Sequence, residues 1–198
     1  MLISEVASIL SAEFINPSHD FEVDTLVYDS RKASSSTHEL FIALPGTHHD
    51  GHDYIPSLYQ LGIRSFLISK RINPRGYPEA AFLLVSDTLV ALQNLATYHR
   101  KQFDLPVVGI TGSNGKTIVK EWLATILEQQ WNVIKSPKSY NSQLGVPMSV
   151  WNLERTHEVA VFEAGISRTG EMEALERIIQ PTLGIFTNIG NEIGRAHV

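Results

Sequence analysis

The sequence predicts an α/β fold, with a small N-terminal α/β domain followed by a P-loop domain built on a parallel sheet. Three observations carry this reading. Beyond about residue 104, strand-like apolar runs alternate with helical patterns, the order that gives parallel strands joined by crossover helices. The stretch Gly109-Ile-Thr-Gly-Ser-Asn-Gly-Lys-Thr117 lies between the apolar run Leu105-Pro-Val-Val-Gly-Ile110 and the helix-like Ile118-Val-Lys-Glu-Trp-Leu-Ala-Thr-Ile-Leu127. That is strand, glycine-rich turn and helix, the context a phosphate-binding loop requires. Ahead of this region, short β-like runs are separated by turn-rich segments.

Taken in order, the chain opens with a short amphipathic helix that Ser4 is placed to cap and that runs to about Ala12. Strand-like runs follow at Thr25–Tyr28, Leu40–Leu44, Ser65–Ile68 and Phe82–Val85. Thr88–Gln102 reads as a longer helix with Leu89, Leu92, Leu95, Ala96 and His99 near one face. Phe103-Asp-Leu-Pro106 is the expected joint, dividing the chain into 1–103 and 104–191. The second part then alternates: Val107–Thr111, Thr117–Gln129, Asn132–Lys135, Ser142–Trp151, Val159–Glu163, Gly170–Ile179 and Leu183–Thr187.

Composition narrows the function classes. An apolar fraction of 43% and a charged fraction of 19% describe an ordinary globular protein. A net charge of −5 and the lack of a basic run argue against a nucleic-acid surface. The absence of cysteine excludes disulfides and thiolate metal sites. Met1-Leu-Ile-Ser-Glu5 lacks the features of a signal peptide, and no run is long enough to insert in a membrane, so a cytoplasmic location is expected.

In the glycine-rich loop, Gly112, Ser113, Asn114 and Gly115 would turn backbone N–H groups into one concavity at a helix N-terminus. Lys116 would reach the β- and γ-phosphates of a nucleotide, and the Thr117 hydroxyl would ligate Mg²⁺. The general pattern wants a glycine where this chain has Ile110; its glycine sits one position earlier, at Gly109. The competing reading is an ordinary glycine turn. Val159-Ala-Val-Phe-Glu-Ala-Gly165 ends a buried-looking strand on a carboxylate, where parallel sheets bind ligands, so Glu163 could share the Mg²⁺; a helix cap or surface carboxylate is the alternative. In the polar segment Ser136–Pro147, Asn141 could contact phosphate or acceptor, or serve as a plain N-cap. Thr187-Asn-Ile-Gly190 aims Asn188 at the same crevice, a weak signal alone. His48, His49, Asp50, His52 and Asp53 crowd a glycine-bounded turn without a spacing that converges ligands, so a polar ligand-facing loop is preferred to a metal site.

Together these residues resemble the Mur ligase family, ATP-dependent amide ligases of peptidoglycan precursor synthesis. Gly109–Thr117 is similar to that family's variant P-loop, displaced glycine included. Phe162-Glu-Ala-Gly165 is similar to its magnesium-glutamate motif, and Asn141 falls where the family keeps a functional asparagine. Asp29-Ser-Arg31, Phe41-Ile-Ala-Leu-Pro-Gly46 and Asp50-Gly-His52 resemble the domain that holds the UDP-sugar, with Asp29, Ser30 and Arg31 as its substrate contacts. The resemblance runs through about Gly190. It implies a UDP-sugar-binding domain followed by a truncated P-loop ATPase domain, with ATP and Mg²⁺ as cofactors.

Lys138-Ser-Tyr-Asn-Ser-Gln-Leu-Gly-Val-Pro147 and Ser167-Arg-Thr-Gly-Glu171 are most similar to the branch that joins D-alanyl-D-alanine to UDP-N-acetylmuramoyl-tripeptide. Phe162-Glu-Ala-Gly-Ile-Ser167 is also similar to a version fused to an alanine racemase, of which no residues are present here. The implied reaction converts the tripeptide carboxylate to an acyl phosphate, which the dipeptide amine attacks. Lys116, Asn141 and Glu163 carry the catalytic roles, and a monomer is expected. Another Mur-type or folylpolyglutamate ligase, or a non-ligase P-loop protein, is the alternative. The Lys138–Pro147 segment speaks against the first pair, and the Asp29-Ser-Arg31 domain against the last.

The family continues past Asn-Ile-Gly with an Ala-His pair; here Ala196-His197 comes six positions after Gly190, so that role is not carried onto His197. Ile193-Gly-Arg-Ala-His-Val198 is what the DNA run ATCGGAAGAGCACACGTC encodes, a run used in sequencing adapters. Residues 192–198 are therefore expected to be non-native read-through. The family's closing histidine, modified lysine and C-terminal domain have no counterpart in the chain. Alone it is expected to bind its ligands weakly, to catalyse little and to expose apolar surface at the edge of its sheet.

Overall fold

The computed structural model describes residues 1–17, 19–47, 49–166, 168 and 170–190. His48, Ser167, Thr169 and the expected read-through at 192–198, His197 included, lie outside the described residues. The chain divides into two compact units, Met1–Leu95 and one beginning at Ala96.

The first unit holds five strands: β1 (Glu13–Ile15), β2 (Thr25–Val27), β3 (Glu39–Ile42), β4 (Ser65–Ile68) and β5 (Ala81–Leu84). Their order is β1-β5-β4-β3-β2, parallel except for β1 against β5. Every residue of β3 and β4 is buried, because a sheet covered on both faces selects continuous apolar runs rather than alternation. Phe41 pairs with Phe66 and Phe66 with Phe82 across neighbouring strands. Their rings meet edge-on at 6.4 Å and stacked at 5.3 Å, which ties three strands through one aromatic row. Helices α1 (Ile3–Leu10) and α2 (Ile55–Leu61) flank this sheet in sequence, and α3 (Thr88–Arg100) follows β5.

Two expectations change here. Ser4 lies inside α1 rather than capping it. The helix starts after Leu2, whose N–H is accepted by Glu5, while Ser4 donates its N–H and hydroxyl to Asp20. Strand β1 had no signal in the sequence, because three residues carry no readable period and its place depends on pairing with β5.

In the second unit β6 (Val107–Thr111), α4 (Lys116–Leu127), β7 (Val133–Lys135), α5 (Gly145–Trp151), β8 (Val159–Glu163), α6 (Glu171–Ile179) and β9 (Leu183–Phe186) alternate as the pattern required. Helix α5 starts three residues later than expected, since Ser142 accepts from the N–H of Gly145 in a turn before the helix. The strands are all parallel, in the order β7-β8-β6-β9. Val108, Ile110 and Val161 pack with Val119, Leu123 and Leu127 of α4. Val107, Ala160 and Phe162 instead join Val146 and Val150 of α5 and Leu175, Ile178 and Ile179 of α6. This two-residue alternation puts Glu163 on the same face as Val161, toward α4. Gly109 points the other way: a Cβ there would lie 3.1 Å from Pro181 Cβ. In the structure it lies within β6, packed against Pro181.

The end of α3 belongs to this unit. The ring of His99 packs on Phe103 and Trp151, and Arg100 donates to the carbonyls of Ile179, Phe103 and Gln180. The boundary therefore falls at Leu95, inside α3, ahead of the Phe103–Pro106 joint. At the sheet edge β9 leaves Leu183 and Phe186 exposed, the apolar edge surface that was expected.

Phe66, fully buried between Phe41 and Phe82, is expected to cost about 3–5 kcal/mol on replacement by alanine, read by denaturant unfolding. Burial lowers the pKa of His99 below its usual 6.5, so the folded state binds fewer protons than the unfolded chain. Stability from this group is complete above pH 6.5 and is lost as pH falls below it. The fall in Tm on acidification through that range is therefore expected to shrink in His99→Gln.

Candidate functional site

Because the four strands of the second unit are parallel, their carboxyl ends share one edge, where open α/β sheets bind ligands. The loop Gly112–Gly115 leaves β6 there and enters α4 at Lys116. Gly112 has φ +133° and Gly115 φ +82°, both in the region that favours glycine. At Gly112 proximity matters as well: a Cβ would lie 2.2 Å from Thr187 Oγ1 and 2.9 Å from the Asn188 carbonyl.

That crowding reflects a second strand end closing on the loop. The N–H of Ser113 donates to the Asn188 carbonyl at 3.0 Å, and the N–H of Asn114 to Asn188 Oδ1 at 2.9 Å. Thr187 Oγ1 donates to the Asn114 carbonyl at 2.6 Å, and Ser113 Oγ donates to the Gly190 carbonyl at 2.9 Å. Asn188, a weak signal in the sequence, is thus the residue that shapes the loop. Two of the N–H groups expected to cradle phosphate are engaged with it. The first turn of α4, from Lys116 onward, supplies N–H groups that lack intrahelical partners by helix geometry. The Lys116 ammonium folds back onto the carbonyls of Gly112 and Ser113.

Glu163 is the centre of the site. Its side chain is 1% exposed at the end of β8. Oε2 accepts from Thr117 Oγ1 at 2.9 Å, and Oε1 from Asn141 Nδ2 at 2.6 Å. Asn141 is therefore no helix cap: its side chain holds Glu163, and its carbonyl accepts from the Gly165 N–H at 2.8 Å. The backbone N–H of Glu163 donates to the buried hydroxyl of Ser136 at 3.1 Å. The three residues expected to converge, Thr117, Asn141 and Glu163, do so. One participant went unnoticed in the sequence. Lys120, on the same helical face as Lys116 and Thr117, is completely buried with its ammonium 3.9 Å from Glu163 Oε2. Its signal was a lysine on the helical face that also carries Ala124 and Leu127. Beside it Glu121 titrates below the usual carboxylate range, chiefly through its hydrogen bond with Lys135 and next through that with Lys120.

In the first unit, the candidate substrate residues lie along the carboxyl ends of β2, β3 and β4. Asp29 caps a short 3₁₀ turn, Ser30–Lys32, by accepting from the Arg31 N–H at 3.1 Å. The two also form a fork of 2.8 and 2.7 Å between guanidinium and carboxylate. The hydrogen bonds from Arg31 pull the Asp29 carboxyl down to about 2. Arg31 stays 87% exposed, oriented by Asp29 and open to an anion. Asp50 accepts from the His52 N–H at 2.9 Å and pairs with Lys70, which holds its carboxyl well below the usual range. His52 Nδ1 lies 2.6 Å from Asp50 Oδ1, and Nε2 accepts from the N–H groups of Ser69 and Lys70. Both ring nitrogens are thereby used in joining two loops. Among the described residues, no group of three or more His, Cys, Asp or Glu converges as a metal site.

A phosphate-type loop, a strand-end carboxylate and a four-stranded parallel sheet define a P-loop α/β domain. Residues 110–195 match the Mur ligase middle domain, and residues 22–100 match the Mur ligase family catalytic domain. The chain belongs to the Mur ligase family. It is 37% identical over 175 residues to a UDP-N-acetylmuramoyl-tripeptide–D-alanyl-D-alanine ligase of Synechocystis sp., covering 88% of this chain and 38% of that protein. To the Bacillus subtilis protein of the same name it is 33% identical over 189 residues, covering 95% and 41%. A crystal structure of MurF from Acinetobacter baumannii superposes with TM-score 0.85 at 31% identity, over 94% of this chain and 40% of that one. MurF from Thermotoga maritima, in complex with ADP, superposes with TM-score 0.75 at 29% identity, over 85% and 38%. The chain thus spans about 40% of the length of the relatives it matches.

Gly112→Ala is expected to destabilise the second unit by about 1–3 kcal/mol, because the added Cβ collides with Thr187 in a left-handed conformation. Denaturant unfolding reads the loss, and an unchanged midpoint would refute the closure of the loop by the β9 end.

Proposed function

We propose that this chain is the substrate- and nucleotide-binding part of an ATP-dependent ligase that adds D-alanyl-D-alanine to UDP-N-acetylmuramoyl-tripeptide. The single observation that carries this is the meeting of Thr117, Asn141 and Glu163 beside the Lys116 loop, in a chain whose relatives bear that ligase name. Since those relatives are more than twice as long, amide synthesis is assigned to the longer protein and ligand capture to this chain.

In this reading the first unit, Met1–Leu95, holds the UDP-muramoyl-peptide and the second, from Ala96, holds ATP. Asp29 and Ser30 shape the turn that presents Arg31 to the UDP-sugar, far from the reacting end, where binding energy serves positioning. Lys116 exchanges its contacts with the Gly112 and Ser113 carbonyls for the β- and γ-phosphates. Gly115, Lys116 and Thr117 offer the helix N-terminus to phosphate oxygens, while Gly112, Ser113 and Asn114 set the loop's curvature.

The donor set at Thr117 and Glu163 fits Mg²⁺: a hydroxyl and a carboxylate are hard oxygen ligands, and this ion takes one or two protein oxygens with phosphate and water filling the rest. When bound, Mg²⁺ neutralises charge on the transferring phosphoryl group. Asn141 keeps Glu163 aimed at that position. The tripeptide carboxylate, a poor electrophile, takes the γ-phosphoryl of ATP to become an acyl phosphate, and ADP leaves with the bridging oxygen. The dipeptide amine then attacks its carbonyl carbon, releasing phosphate. A monomer acting in the cytoplasm completes the reading; among the described residues no helix is long and apolar enough to cross a membrane.

Titration calorimetry of the chain with ADP in excess Mg²⁺, and separately with UDP-N-acetylmuramoyl-tripeptide, tests the proposal. Saturable binding of both is expected, with Lys116→Ala weakening ADP by about tenfold or more and leaving the UDP ligand unaffected. Binding of neither ligand, or an ADP affinity indifferent to Lys116, would sink it.

A further inference from the structure

We infer that Lys120 is a positioning residue, which holds the Lys138–Asn141 segment and the Glu163 carboxylate in place for the metal–nucleotide site. The inference rests on the nucleotide-binding reading above but concerns a residue that touches neither phosphate nor substrate. A fully buried ammonium is unfavourable unless each of its three donors is matched. Here they are. Lys120 Nζ donates to the Ser136 carbonyl at 2.8 Å and to the Lys138 carbonyl, and it lies 3.1 Å from Glu121 Oε1. Glu163 Oε2, at 3.9 Å, is left as an electrostatic neighbour, its own hydrogen bond coming from Thr117.

Both carbonyls belong to the chain as it leaves β7. Lys138 has φ +50°, a left-handed conformation that a non-glycine residue adopts at a cost. This reversal turns the backbone back toward the P-loop. It brings Ser139 Oγ within 3.4 Å of Thr117 Oγ1 and Asn141 Nδ2 within 2.6 Å of Glu163 Oε1. The Lys120 ammonium sits at the root of the reversal and takes up the carbonyl of its strained residue. One side chain, a turn along the helix from Lys116 and Thr117, thus links the phosphate loop, the asparagine segment and the carboxylate.

Lys120→Met keeps the length of the side chain and removes its donors and charge. Leu123→Ala, a packing change on the same helix, serves as the control for general destabilisation. Hydrogen exchange is read at Tyr140, Asn141 and Gly165, whose N–H groups donate to Pro137, Ser139 and Asn141. In Lys120→Met these amides are expected to exchange about tenfold or more faster, with β6 and β8 unchanged. The enhancement of ADP binding by Mg²⁺ is expected to fall by about 10–100-fold, with ADP binding in its absence little altered. Leu123→Ala should lose protection evenly across the unit and keep the Mg²⁺ effect. Should Lys120→Met not fold, Lys120→Gln, which retains an amide donor without charge, is read in the same way.

Unchanged exchange at those three amides, an even loss like that of Leu123→Ala, or an undiminished Mg²⁺ effect would overturn the inference. If the unaltered chain fails to bind ADP with Mg²⁺, the nucleotide reading fails by itself. The exchange pattern then still decides whether Lys120 holds the segment.

Discussion

The second unit depends on a carboxylate that has been taken out of water. Glu163 ends a strand whose other residues are all buried, and a carboxyl group in such a place must be matched by hydrogen-bond donors at close range. The Thr117 hydroxyl, the Asn141 amide and the Lys120 ammonium provide that environment, each from a different part of the chain or a different turn of α4. Several features follow from this one requirement. The P-loop helix must pack on the face of β8 that carries Glu163, the segment after β7 must reverse direction, and the helix must carry a lysine where its pattern calls for an apolar residue. Hydrogen bonds to both oxygens from separate segments fix the orientation of this carboxyl group.

The glycine-rich loop is held from the opposite side. Asn188 and Thr187, leaving the edge strand β9, take the N–H groups of Ser113 and Asn114 and press on Gly112. The loop therefore rests in a hydrogen-bonded form with the Lys116 ammonium turned onto its own carbonyls. In the proposed nucleotide-binding role, phosphate would replace these internal contacts, which offsets part of the gross interaction energy. The first unit uses a similar principle at its strand ends. Arg31 is oriented by Asp29, and the His52 ring is held by Asp50, so that each side chain is directed by a carboxylate two residues away in the chain.

Much of this was legible beforehand. The alternation from Val107 to Phe186, the sheet class and the loop could be read because parallel strands and crossover helices impose strong local periods. Gly115-Lys-Thr117 and Glu163 could be read because their chemistry has few substitutes at those spacings. Besides Lys120, three features of the architecture escaped. Strand β1 is too short to carry a period, the first helix is capped from Leu2 and Glu5 instead of Ser4, and the boundary between units falls inside α3. The last was hidden because Phe103-Asp-Leu-Pro106 looks like a joint, whereas the packing of His99 and Arg100 carries the end of the helix into the second unit.

The sequence by itself determined the α/β class, the order of elements, the phosphate loop and the carboxylate opposite it, since each depends on residues adjacent in the chain or on a short repeating period. Tertiary structure alone decided what surrounds them: that Asn188 closes the loop, that Asn141 clamps Glu163 instead of capping a helix, that Gly109 serves packing against Pro181, and that Lys120 is buried at the centre. Each of these is a contact between segments brought together by strand order. The order β7-β8-β6-β9 is set by how faces are buried across the whole unit, a constraint no local window contains.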